Sequence, residues 1–169
     1  MADSNERLAE RESVVTVDGA VAVREAAIEL IGGFQSSLAI VSDRLNPNLY
    51  NDADLVDCLR EQLLDRHRAT VRILIHQPRL AVTNSPRLIA LARRMSSQIE
   101  LRVPDKDPNE TTASLLIADR YALLYRPSAE RWEATLTQKS PVRVKDRLDH
   151  FEAQWIAAIP SPELRDFRV

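Results

Sequence analysis

Glycine is nearly absent from this 169-residue chain, with only Gly19, Gly32 and Gly33 present. A GxGxxG dinucleotide loop or a Walker-type phosphate loop needs more glycine than that, at spacings the chain lacks. A GxSxG nucleophile elbow is excluded for the same reason. Cys58 is the single cysteine, so neither an intrachain disulfide nor a cysteine-based zinc cluster can form. Aromatic residues make up 5%, too few for a surface that stacks single-stranded bases. The three histidines show no HxxxH, HxxE or HxH spacing, so no metal and no cofactor is expected. Apolar runs such as Leu115 to Ala118 fall far short of the ~20 residues of a membrane helix. Residues 1–13 are polar and lack the basic and apolar regions of a secretory signal. A cytoplasmic protein without membrane insertion is expected.

What is present suits one ordered domain: 44% hydrophobic residues for a core and 28% charged residues to cover it. Net charge is −2, but it is unevenly spread. Residues 1–59 hold 4 basic and 11 acidic side chains, whereas 60–106 hold 10 and 4. A basic middle could meet an anion, and Arg72, Arg79 and Arg87 are the residues that would do so. The simpler account is that the basic middle, through Arg60, Arg66, Arg68, Arg93 and Arg94, solvates two amphipathic helices. The net negative charge argues against nucleic acid as a partner.

Along the chain, Val14 to Val17 has the composition of a strand, closed by Asp18-Gly19. Apolar residues at helical spacing predict a helix from Ala20 to Phe34, ended by Gly32-Gly33. Leu38 to Val41 reads as a strand covered on both faces. Residues 43–52 read as a loop, with Asp52 or Asp54 capping the next helix through Leu63. Val71 to Ile75 is a further strand, and His76 to Asn84 a loop. Ser85 is a predicted helix cap before Pro86. Ile99 to Val103 alternates like an edge strand. Ala113 to Ala118 and Tyr121 to Arg126 read as a hairpin joined by Asp119-Arg120, and Trp132 to Leu136 as another strand. Val144 to Ala158 is an amphipathic helix, with Val144, Leu148, Phe151 and Trp155 on one face. Leu164 and Phe167 are expected to pack back onto the domain. The fold class predicted is α/β, with a mixed, mostly parallel central sheet and helices on both faces. Residues 1–13 form a polar tail, 14–159 the domain, and 160–169 a C-terminal tail.

Chemistry has few places to sit. His67 and His150 read as surface residues on helices. His76 ends a central strand, where α/β sheets place ligands.

The order of these elements, the frame Thr112-x-Ser114-x4-Asp119 and the closing Phe151-x-x-x-Trp155 helix resemble a single repeat of the phospholipase D superfamily. In that family the corresponding frame is HxKxxxxD, whose histidine attacks phosphorus and whose lysine binds phosphate oxygens. Here Asp119 is in register, but Thr112 and Ser114 replace the two reactive residues. The hydroxyl of Thr112 has no evident base, and Ser114 carries no positive charge. The resemblance therefore implies a catalytically inactive binding or assembly module. It also implies a homodimer, with Thr112, Ser114 and Asp119 near the two-fold axis. A narrower likeness, to small bacterial domains of this fold sometimes appended to acetyltransferases, hints at such a protein partner. The alternative is an enzyme with replaced chemistry, using His76 with Thr112 or Asp119 at the C-terminal edge of the sheet.

Overall fold

The computed structural model describes residues 13–105 and 113–164. Seven strands form one sheet: β1 (Ser13–Asp18), β2 (Ser37–Ser42), β3 (Thr70–Ile75), β4 (Ile99–Arg102), β5 (Ser114–Ala118), β6 (Ala122–Arg126) and β7 (Glu133–Gln138). Six helices accompany them: α1 (Ala20–Gly33), α2 (Pro47–Tyr50), α3 (Ala53–Asp65), α4 (Pro78–Asn84), α5 (Pro86–Arg94) and α6 (Pro141–Ala157). The spatial strand order is β1-β7-β6-β5-β2-β3-β4.

The α/β class and helices on both faces hold, but the sheet is mostly antiparallel rather than mostly parallel. Only β2–β3 and β3–β4 are parallel. The pairs β2–β5, β5–β6, β6–β7 and β1–β7 run antiparallel. Helical crossovers produce the parallel pairs, whereas short loops after β5 and β6 force antiparallel neighbours. β1 then closes the far edge against β7.

Alternation along the strands divides the core. Leu38, Ile40, Val71, Ile73, Leu116 and Leu124 face α1, α3 and α5, whereas Ala39, Val41, Leu74, Leu115 and Ile117 face α6. On α6, Val144, Phe151 and Trp155 are buried against the sheet.

Several local expectations change. Residues 43–52 include the short helix α2, begun by Asn46, whose Oδ1 accepts from Asn48 N at 3.0 Å, and by Pro47. The stretch after His76 is not a plain loop, because Pro78 at the first helical position starts α4. Asp52 is the cap of α3, accepting from Leu55 N at 3.1 Å. Ser85 does not cap α5; its hydroxyl donates to Leu45 O at 2.8 Å instead. Helix α6 begins at Pro141, three residues earlier than predicted. Leu164 packs back as expected. Phe167 lies outside the described residues. Among the described residues no helix is long and apolar enough to cross a membrane.

Candidate functional site

The C-terminal ends of β2 and β3, the start of β5 and the end of β6 share one sheet edge, because Val41 pairs with Leu115 and Ser114 with Arg126. The sheet divides that edge into two faces.

On the face of α2, Ser114 is buried at the start of β5, with Tyr50 from α2 beside it. Arg126 lies across the ladder and is only 4% exposed. Its guanidinium stacks over the Trp132 ring at 4.3 Å and donates from Nη2 to Ala129 O at 2.7 Å. Nε reaches Ser128 O at 3.4 Å. The remaining nitrogen, Nη1, is buried without a hydrogen-bond partner, and the proton of the buried Tyr50 hydroxyl has no acceptor. Burial pushes the Tyr50 phenol up to about 12, although the Ser114 hydroxyl donating toward the phenolic oxygen, and the charge of Arg126, draw it down. Burial also lowers the pKa of Arg126, opposed by Tyr50. Tyr50 therefore stays neutral and supplies no charge to balance the arginine. Two buried polar groups with open hydrogen-bonding capacity thus meet beside Ser114.

On the α6 face, His76 follows β3 and its Nδ1 lies 3.4 Å from Ser42 O. His76 lines a small depression with Arg147 and His150 of α6. It also lines a larger cleft beneath α4. His76 and Ser114 therefore share an edge but not a face. Thr112 lies outside the described residues.

Asp119 lies at the other end of β5. It occupies a left-handed position (φ 60°), which aspartate tolerates better than most residues. One carboxylate oxygen, Oδ1, accepts from the backbone N of Gln35, Ser36 and Ser37 at 3.1, 2.8 and 3.2 Å, and from Ser36 Oγ at 3.1 Å. Oδ2 accepts from Gln35 N at 2.9 Å, and Asp119 N donates to Ser37 O at 2.8 Å. The residue ties the hairpin to the entry of β2. Since β2 is six residues long, about 16 Å of strand separates that entry from the edge holding His76. An acid–base pair of His76 with Asp119 is therefore not assembled.

The three arginines are dispersed. Arg72 forms a bidentate pair with Glu152 at 2.7 and 2.6 Å, and lies 4.9 Å from the Phe151 ring centroid. That pairing holds the Glu152 carboxyl below its usual range. Arg79 is exposed and reaches Glu163 at 3.4 Å. Arg87 donates to Asn51 O at 2.8 Å and lines a groove with Arg60 and Arg94.

Sequence inspection missed Tyr50, Arg126, Arg147 and His150 as site residues. For Arg126 a signal existed: its distance from the hairpin turn places it opposite Ser114 once the loop length is known.

Solved structures of similar fold include TrmBL2, an archaeal chromatin protein with a novel mode of DNA binding. It gives TM-score 0.64 and 20% identity, covering 86% of this chain and 52% of that one. Nuc from Salmonella typhimurium, a phospholipase D family member, gives 0.63 and 16%, covering 94% of this chain and 99% of Nuc. NucT from Helicobacter pylori gives 0.63 and 11%, with coverages of 89% and 99%. The present chain thus spans about half the length of TrmBL2 and nearly all of each of the other two. No curated protein matches it. The fold is phospholipase D-like, in a mixed and mostly antiparallel form. A family model, described as a domain of unknown function, matches residues 19–167, and the chain belongs to that family, DUF7931.

Proposed function

We propose that this domain is a catalytically inactive phospholipase D-like module that holds an anion without cleaving it. The observation that carries this is the buried, unpaired Arg126 Nη1 next to the Tyr50 hydroxyl, whose proton has no acceptor, beside Ser114. An orphaned buried donor costs about 1–3 kcal/mol, and more when it is charged. One anionic oxygen accepting from both groups would remove that cost and neutralise the arginine. The chemistry for cleavage is missing by comparison. The three histidines, His67, His76 and His150, lie away from the Ser114 face, so no imidazole is placed to attack or to activate a hydroxyl there. A phosphate group, the anion for which the resemblance speaks, is the preferred ligand class.

Thermal unfolding with and without inorganic phosphate tests the site. Phosphate should raise the melting temperature of the unmodified chain. Tyr50→Phe removes a hydroxyl whose proton has no acceptor along with its contact to Ser114, so without phosphate it should lose less than about 0.5 kcal/mol. It should also gain less from phosphate. A Tyr50→Phe chain destabilised by about 1 kcal/mol, with an undiminished response to phosphate, would show an ordinary bonded tyrosine and no anion site.

The resemblance also supports a homodimer across this same sheet edge, and leaves room for a protein partner such as an acetyltransferase. Ser114 would lie near the dyad. Asp119, at the far end of β5, would lie about 16 Å of strand away from Ser114. Light scattering at micromolar concentration should give about twice the 19.1 kDa chain mass. A concentration-independent mass near 19.1 kDa would refute the dimer.

A further inference from the structure

Beneath α4 lies a cleft of about 640 Å³, distinct from the Tyr50–Arg126 pair, neither of which lines it. Its walls are largely apolar: Leu80, Val103, Ile159 and Pro160 all line it. The strap that follows α6 forms one wall. Backbone bonds between Val103 and Ile159, at 2.8 and 3.0 Å, hold that strap to the sheet. The strap's polar groups are already engaged, since Glu163 takes Arg79 at 3.4 Å and the Ser161 hydroxyl. Leu80 is 42% exposed and Ile159 67%, so the cleft presents uncovered apolar surface. A concave apolar surface beyond the end of a strand is the usual form of a small-molecule site.

His76 lines this cleft and also the depression of about 70 Å³ beside it. The depression has room for a small head group rather than a whole ligand. Arg147 and His150 line it from α6. Arg147 stacks on Tyr125 at 4.2 Å and makes no ion pair among the described residues. Among the described residues no carboxylate lines the depression. One apolar chamber and one cationic chamber thus meet at a single imidazole. We infer that together they bind an amphiphilic anion, with its apolar tail under α4 and its oxyanion head against Arg147 and His150. Either a carboxylate or a phosphate monoester supplies that head. The inference does not depend on the Tyr50–Arg126 site.

Calorimetric titration with octanoate, octyl phosphate, octanol and inorganic phosphate tests it. Both amphiphilic anions should bind, and octanol should bind at least about tenfold more weakly. Arg147→Glu, at an exposed position, should weaken both anions by about tenfold or more through charge repulsion. Ile159→Glu should do the same by placing charge in the apolar chamber, and its backbone bridge to Val103 is retained. Tyr50→Phe should leave octanoate binding unchanged, which separates this site from the other. Inorganic phosphate should show no heat that Arg147→Glu abolishes. The inference is overturned if neither amphiphile binds below about 1 mM. It is equally overturned if octanol matches octanoate, or if both charge variants bind as the parent chain does.

Discussion

Trp155→Ala is expected to destabilise the domain by about 3–5 kcal/mol, a large share of the stability of a single domain. Helix α6 is the helix covering the second face of the sheet, and Trp155 is its bulkiest anchor, 7% exposed. The indole stacks on Phe151 with centroids 5.8 Å apart and rings inclined by 21°. Arg102 lies 4.3 Å over the ring and donates to Trp155 O at 2.9 Å, while Arg72 approaches from 5.7 Å. Truncation would lose the buried ring, its stacking partner and the platform for two guanidinium groups at once. Trp155→Phe keeps a ring at the site and should lose less than half as much. For a domain of this size the alanine variant should melt roughly 10 °C lower. A melting point within about 3 °C of the parent would mean that α6 contributes little to the core.

Asp119→Ala should cost about 3–4 kcal/mol by a different route. Three backbone N–H groups at the start of β2 would lose their acceptor. Alanine would also carry the left-handed conformation at φ 60° less readily than aspartate. Asp119→Asn, which keeps one carbonyl oxygen and tolerates that conformation, should lose about 1 kcal/mol. Urea unfolding of the two variants measures the difference. Equal losses would mean that the carboxylate's second oxygen carries the contact. A loss under about 1 kcal/mol for alanine would mean that water replaces the cap. Either variant should bind phosphate like the parent wherever it remains folded, because Asp119 anchors the far end of β5.

The elements were legible where periodicity is strong. The apolar runs Leu38 to Val41 of β2 and Ile73 to Ile75 of β3, and the spaced Val144, Phe151 and Trp155 of α6, announce buried strands and an amphipathic helix. Strand direction was less legible, since composition does not report whether a neighbour is reached by crossover or by hairpin. The hairpin shows how a single residue hides a site. A two-residue turn at Asp119-Arg120 would pair Ala118 with Tyr121 and place Tyr125 opposite Ser114. The structure pairs Ala118 with Ala122 and places Arg126 there. A one-residue change of register exchanges the faces of a strand. It therefore decides whether tyrosine or arginine stands beside Ser114. Tyr50 was hidden by the short helix α2, and His150 by a helix whose rotation relative to β3 no local pattern reports.

Anion retention without turnover is tested most directly by incubating the protein with bis(p-nitrophenyl) phosphate and following both bound ligand and released nitrophenolate. The expected result is saturable binding, weakened by Arg126→Met, with release no faster than in protein-free buffer. Release above that background, carried by the folded protein and abolished by Ser114→Ala or Thr112→Ala, would contradict it.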